Sequence, residues 1–323
     1  MKRVLNFIFG VAVVAAASIV STAPASAQSW PTQRVTIVVP FGAGSVTDIL
    51  ARIFAEEMGR RWGQQVVVEN RPGLAGTTAV GKSTPDGYTL MVTSNGHTVA
   101  GLVSKTLTVD PVKDFAGITR LGSAPLFLIT YPGTPVKTLK DVIELAKKEP
   151  GKLTIGSPPP PTLNYFGAEQ FKAMTGIDVS IVTYKGTGPL TNDLVGGHVM
   201  LAFNTLPPAI GNIQVGKLKA IAVCAPERLA AIPDVPTAAE AGLPGLDVVL
   251  YYGLTAPAGT PRPIIERLNK ELRAIVTSDE FKKRIVADGG GPAPSTPEEH
   301  GANIAREEAK WNAIIKKLGL KLE

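Results

Sequence analysis

The sequence predicts an α/β fold with two domains, and three observations support this. Short apolar runs recur along the chain, with amphipathic helical patterns between them. Several of these runs are apolar at consecutive positions, as expected for parallel strands that are covered on both faces. The chain is also too long for one hydrophobic core of ordinary size. We therefore expect βαβ units arranged in two α/β domains.

Individual elements follow from the same patterns. Nine segments are predicted to be strands: RVTIVV, QVVVEN, YTLMVTS, LFLITY, KLTIGS, VSIVTY, HVMLAFN, LKAIAVCA and DVVLYYGL. Five longer segments are predicted to be helices: TDILARIFAEEMGRRWG, TLKDVIELAKKEPG, TLNYFGAEQFKAMTG, PRPIIERLNKELRAIVTS and PEEHGANIAREEAKWNAIIKKLG. The proline- and glycine-rich residues 225–246 are predicted to form a connection.

Residues 1–27 have the pattern of a secretory signal peptide. Lys2 and Arg3 supply a positive start, the apolar stretch 7–20 is short for a membrane span, and Ala25-Ser26-Ala27 is a small-residue cleavage site. We expect the mature chain to begin at Gln28 and to be exported.

Composition argues against several functional classes. The formal net charge is +6, and the basic residues are spread along the chain, which gives no support for nucleic-acid binding. The single cysteine, Cys224, lies in an apolar run, so no disulfide framework is expected and the thiol is predicted to be buried. The three histidines show no metal-ligand spacing. No metal and no cofactor are expected.

Residues 35–54, VTIVVPFGAGSVTDILARIF, run from an apolar strand through a glycine turn into a helix. Such a turn offers backbone N–H groups and the positive end of the helix dipole to an anion, either a phosphate or a carboxylate. The dinucleotide pattern G-x-G-x-x-G fails because Thr47 occupies its third glycine position.

A second phosphate motif appears at residues 76–83, GTTAVGKS, which match G-x-x-x-x-G-K-[ST]. A true phosphate loop follows a strand directly and opens a helix with its Lys-Ser pair, whereas here a Pro-Asp-Gly turn follows that pair. We therefore expect residues 76–83 to be a short helix that ends at this turn.

Ser45 stands where a hydrolase nucleophile would stand, between a strand and a helix. Its surroundings do not fit G-x-S-x-G, and no histidine is obviously paired with it. Ser45 and Asp48 also fit the Ser-x-x-Asp pattern of a helix capping box, a role that is compatible with ligand contact.

Residues 179–197, VSIVTYKGTGPLTNDLVGG, repeat the same arrangement, and their helix is predicted to open at Pro189. Lys185 either adds charge to this turn or is simply solvated. Two such turns on two domains, facing each other across a cleft, could each hold one end of a small diacid.

The sequence resembles a known family over essentially its whole mature length. The matching blocks are VTIVVPFGAGSVTD, VVVENRPGLAGTTA, STPDGYTLMV, VTYKGTGPLTNDLVGG, IPDVPTAAEAGLPG, YYGLTAPAGTPRPIIERLN and the tail EEAKWNAIIKKLG. They are similar to the substrate-binding proteins of tripartite tricarboxylate transporters, the Bug family.

The resemblance implies a type II periplasmic binding protein fold, with two α/β domains joined by crossing strands around a ligand cleft. Domain 1 is expected over residues 28–126 and 247–323, and domain 2 over 127–246. A non-catalytic, monomeric periplasmic protein is expected, which binds a small organic carboxylate and presents it to a membrane permease. An exported serine hydrolase using Ser45 and a protein that delivers its ligand to a sensor kinase remain the alternatives.

The resemblance also implies the binding residues, which lie in loops of both domains. In domain 1 and its returning strand they are Phe41, Gly42, Ala43, Gly44, Ser45, Asp48, Ser94, Asn95 and Tyr252. In domain 2 they are Ser157, Thr162, Tyr184, Lys185, Gly186, Thr187 and Asn204.

One loop departs from the family pattern. Residues 158–161 are four prolines, where the family has a glycine-rich loop. Proline has no backbone N–H, so Thr162, Leu163 or Asn164 would have to supply the donors of the second clamp. The two tyrosines Tyr251 and Tyr252 could cover an aromatic or apolar ligand body.

Overall fold

The computed structural model describes residues 30–43, 45–104, 106–206, 208–287 and 290–319. The predicted signal peptide, residues 1–27, and Gly44 of the first glycine turn lie outside the described residues.

The described strands form two mixed sheets, in the orders β11-β4-β10-β3-β1-β2 (sheet A) and β7-β6-β8-β5-β9 (sheet B). The strands of sheet A are β1 (Val35–Val39), β2 (Val66–Asn70), β3 (Thr89–Ser94), β4 (Phe115–Pro125), β10 (Val249–Pro257) and β11 (Gly291–Pro292). Those of sheet B are β5 (Phe127–Thr130), β6 (Thr154–Ser157), β7 (Ser180–Thr183), β8 (Leu201–Asn204) and β9 (Lys219–Val223).

Ten helices are described in these ranges. They are α1 (Val46–Trp62), α2 (Leu74–Gly81), α3 (Gly96–Val103), α4 (Leu139–Lys148), α5 (Leu163–Thr175), α6 (Thr187–Val195), α7 (Ile210–Gln214), α8 (Arg262–Val276), α9 (Asp279–Ala287) and α10 (Pro297–Leu318). No helix in this part of the chain combines the length and the apolar character that a bilayer span requires.

In each sheet one strand, the second from an edge, has a parallel neighbour on either side. Strand β1 lies between β2 and β3 and pairs in parallel with both. Strand β6 lies in the same way between its parallel neighbours β7 and β8. A crevice opens beyond the carboxyl ends of the strands at such a reversal of strand order, and ligands of α/β proteins bind there.

Three chain segments cross between the sheets and hydrogen-bond to one another. The Leu126 N–H donates to the Val248 carbonyl at 2.9 Å, the Cys224 N–H to the Leu126 carbonyl at 2.8 Å, and the Val248 N–H to the Cys224 carbonyl at 2.9 Å. Residue 126 lies between β4 and β5, residue 224 follows β9, and residue 248 precedes β10. The connection between the sheets is therefore itself a short hydrogen-bonded ribbon.

The hydrophobic core is continuous across both sheets. Its main cluster includes Phe54 of α1, Phe281 of α9, Phe166 of α5 and Trp311 of α10. Cys224 belongs to the same cluster, and burial raises the pKa of its thiol. The prediction of a buried cysteine is confirmed.

All nine predicted strands are present, but β4 and the two-residue β11 were not predicted. The sequence of β4, FAGITRLGSAP, interrupts its apolar pattern with Gly, Arg and Ser. This strand depends on its tertiary neighbours, because it pairs with β10 along its whole length.

Two local predictions can be compared with the observed helices. Helix α6 begins at Thr187, two residues before the predicted start at Pro189. Residues 76–81 of the phosphate-loop match lie in α2, which starts at Leu74 and ends at Gly81 with Lys82 as its C-cap. The Lys-Ser pair therefore follows a helix instead of opening one, and the prediction of a short helix is confirmed.

Helix α10 packs very closely against sheet A because glycines face it. A Cβ atom on Gly253 of β10 would lie 2.3 Å from the Cε1 and Nε2 atoms of His300. The His300 side chain is buried, and burial lowers the pKa of its imidazole to about 3. The ring therefore packs as a neutral group directly on the glycine backbone.

We predict that Gly253→Ala destabilises the fold, by about 1–3 kcal/mol, because the buried His300 ring has to move. Gly301→Ala on the same helix is the control, since its Cβ meets nothing within 4 Å. Alanine there should leave the free energy of unfolding unchanged or raise it by up to about 1 kcal/mol. Urea denaturation measures both variants, and equal stability of the two would contradict this packing.

Candidate functional site

The first glycine turn joins β1 to α1 at the crevice of sheet A. Gly42 and Ala43 are exposed, whereas Phe41 and Ser45 are partly buried. The Ser45 hydroxyl accepts a hydrogen bond from the Asp48 N–H at 3.2 Å and so caps α1. The N–H groups of Val46 and Thr47, the first of the helix, have no carbonyl partner within it. The Ser45 half of the predicted capping box is therefore confirmed.

Asp48 is buried, and its side chain is hydrogen-bonded to a residue that also holds this turn. Its carboxylate accepts hydrogen bonds from Arg52 Nε at 3.1 Å and from Asn70 Nδ2 at 3.0 Å. The same Asn70 nitrogen donates to the Phe41 carbonyl at 3.2 Å. The side chain of Asn70, at the end of β2, thus connects the turn to the first turn of α1. Sequence reasoning missed Asn70, although it lies in the quoted block VVVENRPG.

The loop after β3 brings Ser94 and Asn95 to the carboxyl edge next to β1. The Ser94 hydroxyl accepts a hydrogen bond from the Gly96 N–H at 3.3 Å. Asn95 uses both ends of its amide within the protein, since Nδ2 donates to the Val249 carbonyl at 3.0 Å and Oδ1 accepts from the Tyr251 N–H at 3.3 Å. Its side chain therefore fixes the loop against β10.

Tyr252 of β10 lies directly opposite Ser94 in the antiparallel register. Its side chain is buried and lines an apolar cavity of about 20 Å³, together with Val46, Ile49 and Phe281. This cavity lies beside the first turn of α1. The neighbouring Tyr251 packs under the Arg120 guanidinium, 5.8 Å from its ring centre.

In sheet B the tetraproline loop follows β6. The Ser157 side chain is buried and its hydroxyl donates to the Pro158 carbonyl at 2.8 Å. Thr162 caps α5, and its hydroxyl also donates to the Pro158 and Pro159 carbonyls at 3.1 and 3.0 Å. The backbone N–H groups of Leu163 and Asn164 are the first of the helix and have no partner within it.

The second glycine turn, after β7, lies beside this loop. The Tyr184 N–H donates to the Ser157 carbonyl at 2.9 Å. Burial and a hydrogen bond with Asp193 raise the pKa of the Tyr184 hydroxyl. Lys185 is exposed, and Gly186 precedes α6 without a side-chain cap. The N–H groups of Thr187 and Gly188 have no partner within the helix, and Pro189 has no N–H.

Asn204 ends β8, the other parallel neighbour of β6, and is fully buried. Its side-chain Nδ2 donates to the Thr191 hydroxyl at 3.3 Å, and its side-chain Oδ1 accepts from the Thr205 N–H at 2.9 Å. Asn164 makes a comparable bond, from Nδ2 to the Phe203 carbonyl at 2.8 Å. These amides tie α5 and α6 to the end of β8.

Loops from the two sheets meet directly. A Cβ on Gly96, which follows Asn95, would lie 3.3 Å from the Pro161 carbonyl oxygen. The loop after β3 in sheet A is therefore in contact with the tetraproline loop after β6 in sheet B. The predicted residues of each half therefore lie where the strand order of its sheet reverses. The loops at these two places are in contact at Gly96 and Pro161.

The hydrolase interpretation gains no support from the geometry. His97 and His300 are both buried, and burial lowers the pKa of His97 to about 4. His97 Nε2 donates to the Pro111 carbonyl at 3.1 Å, and His198 is exposed. Among the described residues, no histidine hydrogen-bonds Ser45, and no group of three metal-ligating side chains occurs.

The sequence matches a known protein family and a related protein over most of its length. Residues 50–320 match the model of the tripartite tricarboxylate transporter family receptor. The Bordetella pertussis protein BugT is 32% identical over 93% of this chain and 94% of its own length.

Solved structures share the fold. The adipate-bound Rpa4515 protein of R. palustris has a TM-score of 0.83 and 33% identity, covering 90% of this chain and 98% of its own. The malate-bound MatC of Rhodopseudomonas palustris has a TM-score of 0.79 and 32% identity, covering 88% and 100%.

Other solved structures with the same fold include the periplasmic binding protein BugD and a TctC solute-binding protein from Polaromonas. Their two-domain type II periplasmic binding protein fold accounts for the two mixed sheets and the touching crevices. This chain therefore belongs to the tripartite tricarboxylate transporter receptor family of solute-binding proteins.

Proposed function

We propose that the protein captures a small organic carboxylate in the periplasm, between its two sheets, and delivers it to a tripartite tricarboxylate transporter-type permease. The observation that carries this proposal is the pair of strand-order crevices, each lined by the open N-termini of helices, whose loops touch at Gly96 and Pro161. Backbone N–H groups at helix N-termini bind anions without needing a charged side chain.

The structural neighbours support a carboxylate as the anion. Rpa4515 is described with adipate and MatC with malate, and both compounds are dicarboxylates. In this chain, helix α1 offers main-chain donors to one carboxylate and helices α5 and α6 offer donors to the far end. The apolar cavity at Tyr252 and Ile49 lies beside the first of these clamps.

The two sheets also suggest how the chain is divided. We propose residues 28–126 and 247–323 as the domain built on sheet A, and residues 127–246 as the domain built on sheet B, after removal of a signal peptide at residues 1–27. The hydrogen-bonded ribbon at Leu126, Cys224 and Val248 is then the hinge. A monomer is sufficient for this function, because both crevices belong to one chain.

The predicted binding residues fall into two groups in this proposal. The turns that offer main-chain donors contact the acid: residues 41–45, 162–164 and 184–187. Asp48, Asn95 and Asn204 are buried and act indirectly: Asp48 bonds Asn70 beside the first turn, Asn204 bonds Thr191 of α6, and Asn95 holds the loop after β3 against β10. Ser94, Ser157 and Tyr252 line the floor between the turns.

Binding of a carboxylate should stabilise the protein against heat. An acid at one hundred times its Kd adds roughly 2.7 kcal/mol, which corresponds to a rise of a few degrees in Tm. Differential scanning fluorimetry with aliphatic and aromatic mono-, di- and tricarboxylates measures this rise, and mass spectrometry of denatured protein identifies any acid that co-purifies. If no acid shifts Tm and none co-purifies, the proposal is wrong. Release of a chemically altered acid or ester would instead indicate the hydrolase.

Main-chain recognition predicts a particular mutational pattern in the first turn. A Cβ on Gly42 meets no atom within 4 Å, so Gly42→Val should fold normally while its side chain obstructs the anion. Gly44→Val should abolish binding in the same way. Ser45→Ala removes one hydroxyl, worth about 0.5–1.5 kcal/mol, so binding should weaken but survive.

Calorimetry with the acid that shifts Tm most tests these three variants, and Tm without acid confirms that each is folded. Affinity equal to that of the wild type in both valine variants would show that this turn does not hold the ligand. A nucleophilic Ser45 would give the opposite result for Ser45→Ala, with hydrolysis lost and binding intact.

Asn70 should matter for binding without touching the acid, because it fixes the Phe41 carbonyl and Asp48. We expect Asn70→Ala to weaken carboxylate binding about tenfold, corresponding to the loss of about one hydrogen bond to a charged group. Glu69→Ala on the same strand is the control. Both side chains of the Glu69–Arg71 ion pair are exposed, and an exposed ion pair contributes little to stability. The same calorimetric titration compares the two variants, and equal affinities would contradict the anchoring role of Asn70.

A further inference from the structure

The C-terminal helix α10 contacts the cleft loop through a buried carboxylate. Glu307 is only 8% exposed, and its Oε2 accepts a hydrogen bond from Asn95 Nδ2 at 2.8 Å. The same Asn95 nitrogen donates to the Val249 carbonyl. Both N–H bonds of this amide are therefore used, and Glu307 completes the set of bonds that holds Asn95.

The same oxygen accepts a second hydrogen bond. The indole nitrogen of Trp311, one helical turn further along α10, donates to Glu307 Oε2 at 3.2 Å. The Trp311 side chain is completely buried, and its ring packs against Phe166 with ring centres 5.8 Å apart. Phe166 belongs to α5, the helix whose first N–H groups follow the tetraproline loop.

One carboxylate oxygen thus links the two walls of the cleft. On one side it holds Asn95, which immediately precedes Gly96 at the contact with Pro161. On the other side it holds the indole that packs against α5. Lys310 strengthens the same region, since its Nζ donates to the Asp247 carbonyl at 3.2 Å and lies 5.5 Å from the Trp311 ring centre.

We propose that Glu307 is a positioning residue of the binding cleft, which sets the loop at residues 94–96 and aligns it with α5 through Trp311. This inference rests on the proposed function for its consequence, the affinity for a carboxylate. Glu307 itself faces Asn95 and the indole, so it acts on the acid through the loop. Buried polar groups of this kind are costly to leave unpaired, which makes removal of the carboxylate informative.

Hydrogen exchange in the ligand-free protein tests the positioning role directly. In Glu307→Ala, the amides of residues 96–103 should exchange at least about tenfold faster, because the loop that begins α3 loses its anchor. Glu307→Gln retains an oxygen that can accept both bonds, so exchange should return to within about threefold of the wild type. Glu308→Ala, at the next position of α10, is the control and should not change exchange in this segment.

The result that overturns the proposal is unchanged exchange at residues 96–103 in Glu307→Ala. Equal acceleration in α1, residues 46–62, would also overturn it, because that would indicate general destabilisation. Failure of Glu307→Gln to restore protection would show that the oxygen acceptor is not what matters.

Calorimetry with adipate supplies the functional arm, at a temperature where every variant is folded. Adipate affinity should fall at least about tenfold in Glu307→Ala and stay near the wild-type value in Glu307→Gln and Glu308→Ala. Unchanged affinity in Glu307→Ala would contradict the proposal. If the wild type binds neither adipate nor any other acid, the proposed function fails, and the exchange experiment alone decides whether Glu307 positions the loop.

Discussion

A binding site made of main-chain N–H groups depends on how firmly its turns are held. A backbone donor has no rotamers of its own, so its direction is set by the loop that carries it. In this protein the loops at the ends of the strands are held by amide and carboxylate side chains, namely the buried Asp48, Asn95 and Asn204 and the partly buried Asn70. In the function we propose, these side chains fix the direction of the backbone N–H groups, and the N–H groups bind the carboxylate.

The arrangement of the sheets explains why each half of the protein carries such a set of turns. In both sheets the strand next to one edge lies between two parallel neighbours, so each sheet has its own reversal of strand order. Three crossing segments at residues 126, 224 and 248 join the sheets through backbone hydrogen bonds. Since this ribbon is short, the contact of α10 with α5 through Trp311 and Phe166 adds a second physical link between the halves.

Much of this organisation could be predicted from the sequence, because apolar runs and glycine turns carry local information. The nine predicted strands are all present, and a helix follows each of the two glycine turns. Strand β4 could not be predicted, because FAGITRLGSAP has no strand-like alternation and is supported by pairing with β10. The start of α6 at Thr187 was missed because proline is also tolerated later in the first turn of a helix.

The site shows the same division between local and long-range information. The capping role of Ser45 is a local pattern and could be predicted. The bonds from Asn95 to Val249 and Glu307 join residues separated by 154 and 212 positions, and no spacing rule connects them. Long-range side-chain contacts of this kind are decided by the fold as a whole.

The most direct test of the central claim is a crystal structure of the protein with the acid that co-purifies or binds most tightly. The account predicts one carboxylate within about 2.7–3.2 Å of backbone nitrogens in the turn between β1 and α1, and the far end of the acid against the first residues of α5 or α6. An acid bound away from both turns, or held in the cleft only by side chains, would contradict it.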